Sequence, residues 1–199
     1  MKLEGFPQKL RLKDGSHVEV RPLVAADAPA LLEFYRALPE EDRLYLKDDV
    51  TKSDWLQRFV ALVDHDEVVS LIALKGAKVI GEATLYRALH GWATHVGELR
   101  VSVAPKVRRS GLGSALAKDL VKVAIGLGVE KMIVQMVENQ DSARRVFDRM
   151  GFKQEAVLRG HVKDIHGIKR DLVIASNDVS HLWEAMEALV SDFSPTFGG

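Results

Sequence analysis

Val103-Ala104-Pro105-Lys106-Val107-Arg108-Arg109-Ser110-Gly111-Leu112-Gly113, running on into Ser114-Ala115-Leu116-Ala117, is the stretch from which the rest of this chain can be read. The β-branched residues Val101 and Val103 favour a strand, and Pro105 breaks it because proline has no N–H for a ladder. A short cationic loop with two glycines follows. At Leu112 the apolar residues fall into helical spacing, through Ala115, Leu116, Leu120, Val123, Ala124 and Leu127. Strand, basic glycine loop and helix N-terminus in that order form an anion-binding device. Glycine lets backbone approach a ligand closely, and the first helical N–H groups have no carbonyl within the helix to meet. The stretch predicts a protein that holds phosphate.

Two common phosphate loops do not fit. A Walker loop needs Gly-Lys-Ser/Thr at the helix start, and Gly113 is followed by Ser114-Ala115. A dinucleotide fingerprint needs a third glycine or alanine three residues after the second, where this chain has Leu116, and it follows the first strand of its domain. Here several strands precede the loop. Val18-Glu19-Val20-Arg21 alternates as a first strand after the turn Asp14-Gly15-Ser16. Asp27 is placed to cap a helix through Leu31, Leu32, Phe34, Tyr35 and Leu38, ending near Pro39. Thr51-Lys52-Ser53-Asp54 offers caps for a second helix carrying Trp55, Leu56, Phe59, Val60 and Leu62. Val68 to Leu74 and Lys78 to Leu85, separated by Lys75-Gly76-Ala77, predict a hairpin, and a third run spans Thr94 to Val103.

Beyond the loop helix, Gly126 and Gly128 are C-cap candidates. Met132 to Val137 is a nearly continuous apolar run, the pattern of a strand buried in a sheet interior. A helix with Ala143, Val146, Phe147 and Met150 follows, ending at Gly151. Then come strands Glu155 to Val162 and Lys169 to Ala175, a helix from Val179 to Val190 and a loose tail. Leu182, Trp183, Met186 and Leu189 form one stripe on that helix, suited to core or to a homodimer contact. With no repeat, linker or composition break, the reading is one α/β domain over residues 1–199, its core at 14–176.

Composition narrows the function. Lys plus Arg number 28 against 28 Asp plus Glu, so bulk charge points to neither nucleic acid nor an anionic membrane. The absence of cysteine excludes a disulfide scaffold, a thiolate zinc site and a cysteine nucleophile together. No membrane-length apolar run or signal-type segment occurs in the first thirty residues, and the expectation is a cytoplasmic protein. The seven histidines show no metal spacing, and Asp64-His65-Asp66-Glu67 reads as a solvated turn, so no metal site is expected.

Arg108-Arg109-Ser110-Gly111-Leu112-Gly113 resembles the acyl-CoA loop of the GNAT family of N-acetyltransferases, Arg/Gln-x-x-Gly-x-Gly/Ala after a Val-x-Pro strand end, here Val103 and Pro105. Asn139 to Phe152 resembles the family's second signature, with one extra residue between Asn139 and Ala143, and with Phe147 where the family usually has tyrosine. From Asp14-Gly15 through Arg21-Pro22-Leu23 and Leu38 to Arg43 the chain is similar to bacterial protein-lysine acetyltransferases. The resemblance implies the GNAT fold, a mixed and mostly antiparallel central sheet flanked by helices. It also implies acetyl-CoA as co-substrate and an amine acceptor, either a small molecule or a protein lysine or N-terminus.

By that resemblance the cofactor-binding residues are Val101, Val103, Arg108, Arg109, Ser110, Gly111, Leu112, Gly113, Ser114, Asn139 and Phe147. The backbone of Val101 and Val103 would partner the pantetheine arm, and an amide near Val101 would stabilise the oxyanion. A lysine-type amine has a pKa of about 10.4, so a base is needed at neutral pH. Glu98 is the catalytic candidate, with Glu82 in reserve. Strict alternation puts Glu98, Arg100 and Ser102 on one polar face and Leu99, Val101 and Val103 on the other. Phe147 cannot protonate the departing thiolate, and Tyr35, Tyr45 and Tyr86 are the only tyrosines. That departure keeps a second reading open, a non-catalytic acyl-CoA sensor, and the acceptor and the length of the acyl group stay undetermined.

Overall fold

A computed structural model describes residues 3–44 and 46–184. Eight strands form one sheet: β1 (Gln8–Arg11), β2 (His17–Pro22), β3 (Val68–Lys75), β4 (Lys78–Arg87), β5 (Val96–Val103), β6 (Lys131–Val137), β7 (Lys153–Lys163) and β8 (Lys169–Asp178). Their spatial order is β1-β2-β3-β4-β5-β6-β8-β7. Every neighbouring pair is antiparallel except β5–β6. A parallel pair needs a crossover, and the helix after the glycine loop supplies it. The helices are α1 (Ala28–Ala37), α2 (Glu40–Arg43), α3 (Ser53–Asp64), α4 (Leu112–Gly126) and α5 (Asp141–Arg149). The fold is the mixed, mostly antiparallel α/β sheet with flanking helices that the resemblance implied.

The two faces of the sheet bury two separate cores. Leu112, Leu116, Ala117, Leu120, Val121 and Ala124 of α4 pack on one face with Val69, Leu71, Ala83, Leu85 and Leu99, joined by Ala143, Val146 and Phe147 of α5. On the other face, Leu31, Phe34 and Tyr35 of α1 and Trp55, Leu56 and Phe59 of α3 cover Val68, Ile72, Leu74 and Val79. An aromatic chain fills that core, with Trp55 stacked on Phe59 at 5.1 Å and Tyr35 edge-on to Trp55 at 5.3 Å. Covered on both faces, β3 is buried along almost its whole length.

Several sequence expectations are corrected. Gln8-Lys9-Leu10-Arg11 is a strand ahead of the expected first one, its polar composition suiting the sheet edge. Asp27 stands at the N-cap of α1 without capping it. Its carboxylate instead accepts hydrogen bonds from the two terminal guanidinium nitrogens of Arg21, at 2.6 and 2.7 Å, and from the Val24 amide. Lys52 takes the N-cap position of α3, and Thr51 bonds back to Asp49. Strand β6 is not buried on both faces: Met132, Val134 and Met136 are inside, whereas Ile133 and Gln135 are half-buried. Helix α1 packs on β4 and α3 on β3, and the second face of β6 lies beyond them. Residues 179–184 are helical with Leu182 fully buried, so this part of the stripe is core, and the remainder of the expected helix lies outside the described residues.

Two positions test this packing. A Cβ on Gly97 would lie 2.5 Å from Leu85 Cδ1 and 3.2 Å from Val129 Cγ1. Leu85 is fully buried, so it has little room to turn away. Gly97→Ala is expected to cost about 1–3 kcal/mol in denaturant unfolding, and an unchanged midpoint would show that the site yields freely. Asp119 of α4 accepts a hydrogen bond from Gln8. Burial pushes its carboxyl up to about 6, against the opposing pulls of Gln8, Lys122 and Lys118. The folded chain therefore holds this proton more tightly than the unfolded one, and the stabilisation present below about pH 4 is lost as pH rises through about 6. Asp119→Asn keeps an acceptor for Gln8 and removes the charge. It should be more stable than wild type by about 1–2 kcal/mol at pH 7 and by nothing at pH 4, measured by thermal melts.

Candidate active site

Strands β5 and β6 pair only at Val96↔Lys131, Gly97↔Met132 and Glu98↔Ile133. On its other side β5 stays in register with β4 through Gly81↔Val103. From Leu99 to Val103, then, one edge of β5 has no neighbouring strand among the described residues. The ladder shows which groups lie on that edge. The Ala104 amide donates to the Ile80 carbonyl at 2.9 Å, so alternation turns the peptide groups of Val103, Val101 and Leu99 away from β4. The Val103 carbonyl accordingly accepts from Arg108 Nε at 3.3 Å. The amides and carbonyls of Val101 and Val103 thus face the gap between β5 and β6.

That edge runs directly into the glycine loop. After a 3₁₀ turn at Pro105–Val107, Arg109 and Gly111 take left-handed backbone, with φ of 60° and 90°. The Gly111 value is one a side chain rarely tolerates. Such reversals gather successive amides into a concave, anion-seeking surface. The first helical bond is Ala115 N–H to Gly111 C=O, so the Gly113 and Ser114 amides precede it at the positive end of α4. Ser110 fastens the loop, donating to the Val107 carbonyl at 2.6 Å, while its own carbonyl accepts the Lys13 amide at 3.2 Å. Leu112 is fully buried, leaving only its backbone to the loop. A Cβ on Gly113 would lie 3.5 Å from the Val103 side chain and 3.8 Å from that of Val101, so the helix start packs on this part of β5. The Arg108 guanidinium is held by Asp42 of α2 at 2.5 Å. Lys106 and Arg109 are exposed. Among the described residues no His, Asp and Glu group is placed to hold a metal ion. No described helix is long and apolar enough to cross a membrane.

The opposite face of β5 carries the charged groups. Glu98 lies at the last paired position before the strands part, and Lys47 Nζ donates to both its oxygens at 2.6 and 2.7 Å. Arg100 Nε donates to the same carboxylate at 2.8 Å and its guanidinium lies 4.0 Å above the Tyr86 ring. Burial would raise the Glu98 carboxyl, but Arg100 and Lys47 together hold it below the usual glutamate range. Glu82 is different in kind. It is 2% exposed and accepts from the hydroxyls of Tyr35, Ser70 and Thr84, the first two at 2.7 and 2.8 Å. Desolvation raises its carboxyl, and the three hydroxyls cage it. Tyr35 is consumed by the same cage, burial raises the Tyr86 hydroxyl, and Tyr45 lies outside the described residues. Phe147 packs edge-on to Phe152 at 5.4 Å, filling space where a hydroxyl was sought, and Asn139 lies exposed on the β6–α5 turn.

Lys47, Asp42 and the Glu82 cage were not foreseen. Only Arg100 carried a signal, two residues from Glu98 and so on its face.

Comparison with known proteins bears on the whole arrangement. The GNAT domain of Streptomyces lividans PAT is 22% identical with a TM-score of 0.74, covering 89% of this chain and 99% of that one. RimJ of Mycobacterium smegmatis, solved in complex with CoA-disulfide, is 19% identical with a TM-score of 0.74, covering 94% and 96%. The ribosomal-protein-alanine N-acetyltransferase of Brucella melitensis is 23% identical with a TM-score of 0.70, covering 80% and 98%. A search of curated protein sequences found no significant match. The sequence profile of the acetyltransferase (GNAT) family matches residues 29–152, which span the parted strands, the glycine loop and the second signature. This chain belongs to the GNAT acetyltransferase family.

Proposed function

We propose that the chain is an acetyl-CoA-dependent N-acetyltransferase that passes acetyl directly to a primary amine in a ternary complex. The observation that carries this reading is the parted edge of β5 leading into the amide-lined start of α4. The peptide groups of Val101 and Val103 would pair with the amides of the pantetheine arm. The amides from Arg108 to Ser114 would cradle the pyrophosphate, with Arg109 adding charge from solvent. Phe147 and Asn139 would form the other wall. That a relative of the same fold was solved with a coenzyme A disulfide supports this placement.

Acetyl-CoA supplies an activated acyl group on sulfur, and the chain has to deprotonate the amine and steady the oxyanion. Glu98 is the base in this reading. Its carboxylate is ionised at neutral pH and, held low by Arg100, is suited to seat an incoming ammonium and pass its proton to water. The Val101 amide, three residues along the same strand, would donate to the developing oxyanion, worth roughly 3 kcal/mol in comparable sites. A thiol of pKa about 8.5 leaves tolerably as thiolate, so Phe147 in the place of an acid does not halt the reaction. A chain without cysteine suits the reducing cytoplasm, where we place it.

Glu98→Gln should lower kcat by about 10²–10⁴-fold at neutral pH while leaving acetyl-CoA affinity within about twofold, read by coenzyme A release and by calorimetry. Gly111→Val should do the reverse, raising the dissociation constant for coenzyme A about tenfold or more because a β-branched residue resists φ near 90°. Absence of any acetyl-CoA binding at millimolar ligand would sink the reading.

A further inference from the structure

The acceptor side of the site already holds an amine. Lys47 belongs to the segment 46–52 ahead of α3, where Val50 is buried and Leu46 is packed in the α1/α3 core. From that anchored segment its side chain reaches β5 and donates to both oxygens of Glu98, at 2.6 and 2.7 Å. Asp48, its neighbour, lies 3.8 Å from Arg100. The contact is made at Glu98, where β5 and β6 part and where the thioester arm would enter. The Lys47 side chain is 35% exposed and that of Glu98 14%, and partial desolvation lowers the Lys47 ammonium below the ordinary lysine value against the pull of its carboxylate partner. Arg100 remains on Glu98 from the other side, so the carboxylate keeps a cation if Lys47 loses its charge.

We infer that Lys47 is an internal acetyl acceptor: the chain acetylates its own Lys47, and until it does so that amine occupies the seat of the external acceptor. The inference rests on the acetyl-transfer reading above. In the step, Glu98 accepts a proton from the Lys47 ammonium. The freed Nζ lone pair forms a bond to the thioester carbonyl carbon, and the carbon–sulfur bond breaks with its electron pair going to sulfur. The second proton lost from Nζ balances the thiolate, giving coenzyme A thiol and Nε-acetyl-lysine. The acetyl amide is uncharged and has one N–H in place of three donors, so it cannot hold both oxygens of Glu98. Acetylation thereby opens the seat to an external amine.

The test is to incubate the full chain with acetyl-CoA and no other acceptor, and to map acetylated peptides by mass spectrometry over time. Lys47 should be modified at a rate independent of protein concentration and about tenfold or more faster than the exposed Lys52 and Lys78. Glu98→Gln should slow Lys47 about tenfold or more, toward the rates of Lys52 and Lys78. Lys47→Gln, which carries the acetyl-like charge, should raise the Glu98 carboxyl toward the usual glutamate range when that carboxyl is titrated by NMR. Lys47 modified no faster than Lys52 and Lys78, or equally fast in Glu98→Gln, overturns the inference. Coenzyme A release with an external amine in that same sample would leave the transferase reading standing, and no release would remove both.

Discussion

The structure depends on a strand that is paired on one side and released on the other. A peptide edge inside a sheet is costly to leave without partners, and proteins arrange the great majority of such groups into ladders. Here β5 keeps its full ladder with β4, while β6 keeps its ladder with β8, and the two part after Glu98 and Ile133. The flanking ladders and α4 hold the edge in place, so the amides of Val101 and Val103 are fixed in direction without being used within the sheet. Preorganised donors of this kind need no rearrangement when a ligand pairs with them. The glycine loop extends the same row of amides round the corner onto the positive end of α4.

The division of the sheet into two cores decides which chemistry lies where. On the α4 side everything beneath the loop is apolar, and Leu112 and Gly81 bring helix and strand into close contact. On the α1/α3 side the polar residues of β4 and β5 sort by depth. Glu82, opposite Ser102, lies under α1 and is sealed by three hydroxyls. Glu98, nearer the uncovered face of β6, meets Lys47 and Arg100 instead. One carboxylate is raised by desolvation and the other lowered by cations. The same residue type on adjacent strands is structural in one place and suited to proton transfer in the other.

Much of this was legible beforehand because it is local. The hairpin of β3 and β4, the helix after the loop and the placement of Glu98 and Arg100 on one face follow from periods of two and 3.6 residues and from glycines at turns. The edge strand Gln8–Arg11 was not legible, since one exposed side gives it no apolar alternation. The run Met132 to Val137 takes the interior position its apolar composition predicts, between β5 and β8, but Ile133 and Gln135 stay half-buried because α1 and α3 pack on other strands.

The sequence alone determined a strand–glycine loop–helix unit and, through its resemblance, the family. Those properties reside in contiguous backbone, where a glycine, a proline or a helix start acts on its immediate neighbours. Only the tertiary structure decided which carboxylate is sealed and which is held by cations. It alone also brought Asp42 to Arg108 and Lys47 to Glu98, across separations of 66 and 51 residues. Charge environment is set by what packs from distant elements, and no spacing in the chain encodes it.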